Sequence, residues 1–182
     1  MSNVIHLFGT ILRSPKSVQK EDSSADLING TPEQLSLSFA APAVLVQVLC
    51  QDFEGGVSFV DFLDAIAPRF IADMRVSPRL DFICPSRNQT LEFLAARQIS
   101  YRDILGRIGA KSYDDATARR NEALTALSAF AEFSDEGPIL SLFDDQTFLQ
   151  NCSTAMQGLF EPMYMQKHEL ERVIFENSRQ QM

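Results

Sequence analysis

The chain has 182 residues, and 16 lysines and arginines against 24 aspartates and glutamates give it a formal net charge of -8. With 45% hydrophobic and 22% charged residues it carries enough apolar material for one core, which excludes a disordered tail, and no apolar run reaches the roughly 20 residues of a membrane span. The acidic balance argues against broad nucleic-acid binding, because affinity for phosphate backbones comes from clustered lysine and arginine.

Residues 1–6 lack the basic region and long apolar stretch of a secretory signal, and the cysteines, Cys50, Cys84 and Cys152, are odd in number and widely spaced. A reduced, cytoplasmic protein is expected. Residues 4–12 (V-I-H-L-F-G-T-I-L) are rich in β-branched and aromatic side chains and predict a strand, with Gly9 as a bulge. The polar, turn-rich stretch 14–34, with its Asn29-Gly30 pair, reads as a long loop. Residues 35–39 alternate as L-S-L-S-F and can pair with the first strand, forming an edge strand or hairpin.

From residue 43 the pattern changes. Residues 43–49 (A-V-L-V-Q-V-L) are a near-continuous β-prone run, as expected of a strand buried on both faces of a parallel sheet. After Gly55-Gly56, Ser58 can cap a helix that carries Phe59, Phe62, Leu63 and Ile66 on one face and ends at Pro68. A strand over 69–76, a helix over 89–97, a short segment at 99–105 and a turn at Gly106/Gly109 follow. A longer helix is expected over 114–133, then a strand over 139–143, a helix over 145–160 and a terminal helix over 163–178. This alternation predicts a three-layer α/β fold, a mainly parallel sheet with helices on both faces and the N-terminal strand or hairpin on an edge. The expected organisation is a strand-and-loop extension over 1–42, a core over 43–160, and a C-terminal helix within 161–182 packed on that core.

The phrases G-G-V-S-F-V-D-F-L-D-A-I, I-A-D-M-R-V-S-P-R and L-E-F-L-A-A-R-Q-I-S-Y-R-D-I-L-G-R-I-G occur in that order. Together they resemble the bacterial domain-of-unknown-function family numbered 488. In that family a strand and glycine lead to an amphipathic helix, then to a strand ending D-x-R-x-x-P, matched by Asp73, Arg75 and Pro78. A later Y-and-G phrase is matched by Ile99, Tyr101, Leu105 and Gly109. The resemblance covers roughly residues 43–110, with a weaker continuation to about 160. Family members commonly carry C-x-E and then C-H-R after their last strand. Here the comparable stretch is L-S-L-F-D-D-Q-T-F-L-Q-N-C-S-T, with Ser153 and Thr154 where histidine and arginine are expected, and Cys152 in place of the second cysteine. The resemblance therefore implies a degenerate member.

Ligands of open α/β sheets sit outside the carboxyl ends of the strands. Asp73 and Arg75 fall near such an end, and Arg79 and Arg87 follow in the loop V-S-P-R-L-D-F-I-C-P-S-R. The guanidinium fork binds planar anions through paired hydrogen bonds, so Arg75, Arg79 and Arg87, with Tyr101 as a further donor, are the anion-binding candidates. The competing reading pairs Arg75 with Asp73 or Asp81 as a structural ion pair and leaves the other arginines solvated. Asp73 and Asp145 are acid/base candidates. Asp144 and Asp145 follow a core strand, where they can join that pocket as metal ligands or a general base, or, the favoured reading, serve as a helix cap.

Other chemistry is poorly supplied. Cys84 fails the phosphatase-loop spacing, because Thr90 rather than arginine stands six residues on, and Cys50 reads as a core residue of its strand. His6 and His168 are the two histidines, H-E-L-E-R lacks the second histidine of a metalloprotease, and no nucleotide-binding glycine loop occurs. No metal and no cofactor are expected. The terminal helix, with Met163, Leu170, Val173, Ile174 and Phe175 as apolar anchors, packs on its own domain or meets a partner.

Two functional readings result. The first is a non-catalytic or degenerate α/β protein that binds a partner protein, through the C-terminal helix or N-terminal extension, or a small anionic ligand. The second is an enzyme acting on a phosphorylated or nucleotide-like substrate through an arginine and aspartate pocket. A homodimer is compatible with both. A nucleic-acid-associated role requires Arg69, Arg75, Arg79, Arg87, Arg102 and Arg107 to form one patch.

Overall fold

The computed structural model describes residues 43–53, 56–129 and 137–180. The expected strand over 4–12, the polar loop, the hairpin partner over 35–39 and His6 lie outside the described residues. Ala43–Leu49 forms strand β1, and all of it but Val44 is buried, as a run without polar alternation requires. A short 3-10 turn, Cys50–Phe53, follows. Helix α1, Phe59–Ile66, begins where the Ser58 hydroxyl accepts the Asp61 N–H at 3.2 Å, and it buries Phe59, Phe62, Leu63 and Ile66. Each such side chain contributes about 1.5–3 kcal/mol on leaving water. The helix stops at Ala67, which is left-handed (φ 48°) ahead of Pro68.

Strand β2 is Phe70–Asp73, shorter than expected at both ends. Helix α2, Arg87–Ala96, is capped by Ser86. The segment expected at 99–105 divides into strand β3, Ser100–Asp103, and helix α3, Ile104–Ile108. Asp103 makes this division by accepting the Gly106 N–H at 2.7 Å, and a Cβ on Gly106 would collide with that carboxylate. The helix expected over 114–133 is instead two helices over its described part, α4 (Tyr113–Ala118) and α5 (Arg120–Ser128). Arg119 breaks it (φ -96°, ψ 18°), with its guanidinium bound to Asp115 and to the Ile108 carbonyl.

Strand β4, Ile139–Phe143, is wholly buried, and helix α6 is Gln146–Met156. A correction comes next: residues 160–164, expected as the end of one helix and the start of the next, form a fifth strand, β5 (Phe160–Tyr164). Gly158 (φ 98°) turns the chain into it, and Pro162 is tolerated because β5 lies on the edge of the sheet. Helix α7 is Lys167–Gln180.

The five strands are parallel in the order β3-β2-β4-β1-β5. From β1 the chain moves one way, past the position of β4, to β2 and then β3. It then reverses to β4 and passes β1 to reach β5. With right-handed crossovers, the reversal puts α1 and α2 on one face and α3 to α6 on the other. The packing agrees: Leu45, Leu49 and Phe143 join Leu105, Leu127 and Phe148 in one core cluster, whereas α7 packs beside α1. The chain therefore leaves β4 toward one face and leaves β1 and β2, its two neighbours, toward the other. Both gaps beside β4 are switch points, the crevices in which open α/β sheets hold ligands. No helix among the described residues is long and apolar enough to cross a membrane.

Candidate functional site

At the carboxyl end of β2 a side chain replaces the sheet ladder. Asp73 Oδ1 accepts the backbone N–H of Arg75 at 3.1 Å, which closes the strand three residues before its expected end. The same carboxylate takes the guanidinium in a fork, with Arg75 Nε donating to Oδ1 at 2.8 Å and Nη2 to Oδ2 at 2.6 Å. The Tyr101 hydroxyl, on neighbouring β3, donates to Oδ2 at 2.8 Å. Four donors thus converge on two oxygens in a place where Asp73 is 0% and Arg75 3% exposed. Burial alone disfavours the charge on Arg75, but the bonds and charge of Asp73 outweigh it and its pKa is raised. Burial, then the Asp73 charge, raises Tyr101, so its proton stays in place as a donor. Arg75 Nη1 has no hydrogen-bond acceptor among the described residues.

In front of Arg75 lies a cleft of about 640 Å³. Its walls come from the segments that meet at the switch points: Cys50, Gln51 and Phe53 after β1, Arg75, Ser77, Arg79, Asp81 and Phe82 after β2, and Asp144 after β4. Phe82 is 38% exposed, stands edge-on to Phe59 (4.9 Å, 82°) and holds its ring centroid 5.3 Å from the Arg75 guanidinium carbon. Desolvation by the walls raises the Asp144 carboxyl pKa, with Arg75 opposing and Asp73 adding to the rise. Burial pushes the Cys50 thiol up to about 12, Arg75 working against it. At neutral pH that sulfur is a thiol rather than a nucleophilic thiolate.

The sequence-predicted residues separate into distinct places. Arg75 and Arg79 line the cleft, and Asp73 and Tyr101 stand behind Arg75 as its clamp. Arg87 opens α2 with its guanidinium carbon 5.9 Å from the centre of the Tyr101 ring, outside the cleft lining. Asp145 accepts the Phe148 N–H at 2.6 Å and caps α6, so Asp144 is the carboxylate turned to the cleft. Of the two acids proposed for Arg75, Asp73 rather than Asp81 holds it. Cys50, expected in the core, borders the cleft because β1 ends one residue earlier.

Sequence reasoning missed Phe53, Ser77 and Phe82. The signal for Phe82 was an aromatic residue near Arg79 in the proline-bounded loop that follows a strand. Ser153, where the resemblance places a histidine, donates to Gln47 Oε1 at 2.6 Å, away from the cleft lining, and beside it Cys152 is fully buried with its thiol pushed up to about 12. The arginines that would make one basic patch are dispersed: Arg75 and Arg79 in this cleft, Arg69 and Arg102 in a groove by β3, and Arg107 in another beside α5.

A second set of groups occupies the carboxyl ends of β1 and β5. Asp52, Tyr164, Lys167, His168 and Glu171 border a separate cleft of about 480 Å³. Burial raises the Asp52 carboxyl, against Tyr164 and Lys167, and its Oδ2 is buried without a hydrogen-bond partner among the described residues.

Fold and cleft together define a doubly wound parallel α/β protein with a clamped arginine at its switch point. Compared with family models, curated proteins and solved structures, the chain matches none.

Proposed function

We propose that this protein is a non-catalytic binder of a small anion, held in the switch-point cleft by Arg75 and Arg79. One observation carries the reading: Asp73 and Tyr101 fix the Arg75 guanidinium in one orientation while its Nη1 edge keeps no acceptor among the described residues. A guanidinium ordered in advance loses little entropy on binding, and its charged donors form short, strong bonds to carboxylate or phosphate. The resemblance of residues 43–110 to family 488 belongs to the same proposal, because its D-x-R-x-x-P phrase supplies this clamp. Catalysis is disfavoured by the state of the reactive groups. Asp73 spends both oxygens on donors, Cys50 keeps its proton, and His168 borders the other cleft.

An enzyme acting on a phosphorylated substrate is the second reading, favoured by Asp144, whose raised carboxyl beside Arg75 suits a general acid. Thermal-shift titration with phosphate, sulfate and acetate tests both, since a ligand that binds only the folded state raises its apparent stability. The expected result is a concentration-dependent rise in Tm for wild type that is lost in Arg79→Ala, at an exposed position where the substitution is expected to shift the ligand-free Tm little. A flat wild-type response overturns the binding reading. Turnover of a phosphate ester abolished by Asp144→Asn replaces it with the enzyme.

A further inference from the structure

Resting on that reading, the lining of the same cleft defines what kind of anion fits. We infer that the ligand is a singly charged aryl carboxylate, its carboxylate on Arg75 and Arg79 and its ring against Phe82. Three observations lead there. The cleft, at about 640 Å³, is far larger than a bare carboxylate or phosphate needs and would leave most of its wall unused. That wall is aromatic on one side: Phe53 and Phe82 both stand edge-on to the buried Phe59, with centroids 4.9 Å from it in each case. Phe82 is 38% exposed and borders the cleft, so an apolar face is presented to whatever fills it. An aromatic guest gains there both the area it removes from water and ring-to-ring contact.

Charge then selects the headgroup. Arg75 and Arg79 share the lining with Asp81 and Asp144, and Arg75 is already matched by Asp73 behind it. The carboxyl groups already match or outnumber the two cations before any ligand arrives, so repulsion grows with ligand charge and is greatest for a di- or triphosphate, whereas a carboxylate adds one charge and matches the planar guanidinium edge. Nucleoside triphosphates are excluded on the same ground, although the ring alone would suit them.

The test compares acetate, phenylacetate, phenyl phosphate and ATP by amide-shift NMR titration at one ionic strength, with wild type, Phe82→Ala, Phe82→Leu and Arg79→Ala. Phenylacetate is expected to bind wild type about tenfold more tightly than acetate, the ratio that ~1.4 kcal/mol of ring burial supplies. That gain, taken as the ratio of phenylacetate to acetate affinity on the same variant, falls to about threefold or less in Phe82→Ala. Phe82→Leu keeps the bulk of the wall and restores part of the gain, which distinguishes lost contact from a disturbed loop. ATP is the weakest ligand. Equal binding of acetate and phenylacetate, a gain that survives Phe82→Ala, or tightest binding of ATP each overturns the inference. If acetate and phosphate bind in an Arg79-dependent way and the ring adds nothing, anion binding stands and only the aryl class falls. If nothing binds in an Arg79-dependent way, both fall together.

Discussion

Two sets, each an aspartate, a tyrosine and a cation, stand at the carboxyl side of the sheet, and they are built differently. At β2 an aspartate meets a tyrosine and an arginine: Asp73, Tyr101 and Arg75. Beyond β1 and β5 an aspartate meets a tyrosine and a lysine: Asp52, Tyr164 and Lys167. In the first set every carboxylate oxygen has donors and the carboxylate is fully buried. In the second, one oxygen of Asp52 is buried without a partner among the described residues, and burial raises its pKa. The difference lies in the cation. A guanidinium presents two parallel N–H groups to one carboxylate and can be taken wholly into the interior, whereas an ammonium is a compact, strongly hydrated point charge on a flexible stem. The first set is therefore a rigid part of the core whose arginine lines a cleft, and the second is a rim feature.

The sharpest way to break that comparison is to remove each cation. Arg75→Ala leaves Asp73 charged and unpaired in the interior, and a loss of about 3–5 kcal/mol is expected in urea denaturation. Lys167→Ala, at the rim, is expected to cost less than about 1 kcal/mol. Equal shifts in the two variants would show that the clamp is not the buried, closed unit described here.

Removing the tyrosine hydroxyls sharpens the contrast at smaller scale. Tyr101→Phe deletes a 2.8 Å bond to a buried carboxylate, expected to cost about 1.5–3 kcal/mol. Tyr164→Phe should lie below it, and the same denaturation midpoints report the order. Asp145→Ala removes the α6 cap and is expected to cost about 1 kcal/mol without altering phosphate or acetate binding. A loss of binding at unchanged stability would return Asp145 to the site.

The smallest effect is one of pH. Asp144 shares the cleft with Arg75, Arg79, Asp81 and Cys50, and its folded pKa is raised. Anion affinity should therefore fall as pH rises through that raised value, because the newly ionised carboxylate repels the ligand. Asp144→Asn should flatten that limb of the titration. Linkage has the same sign for stability. A carboxyl raised in the folded state contributes stability that is full below its unfolded pKa and is lost as pH rises through the folded one. Asp52→Asn should remove the part of this slope that arises beyond β1, and an unchanged slope would mean that Asp52 is not desolvated.

The parts legible in sequence were those with a strong local code. The run over residues 43–49, the Ser58 cap with Phe59, Phe62, Leu63 and Ile66, and the buried strand at 139–143 all appear at or within a residue of their expected places. β5 was not legible, because F-E-P-M-Y holds a proline and alternates weakly. It is a strand only because β1 offers it an edge to pair with. The division of the long helix at Arg119 was hidden for a similar reason: contacts to Asp115 and Ile108, rather than a proline or glycine, break it.

For the site, the sequence by itself determined the ingredients: an aspartate and an arginine two apart at a strand end, further arginines in the next loop, and aspartates after the last buried strand. Periodicity and capping are local, so they can be read from neighbours in the chain. Tertiary structure alone decided which of these act together. It set Tyr101 from the next strand onto Asp73, turned Asp145 into a cap and Asp144 toward the cleft, moved Arg87 out of the lining, and brought Phe53 and Phe82 into the same lining as Arg75 and Arg79. The physical reason is the strand order. The chain reverses direction at β4, and the crevices opened by that reversal gather segments nearly a hundred residues apart, a pairing that no local pattern encodes.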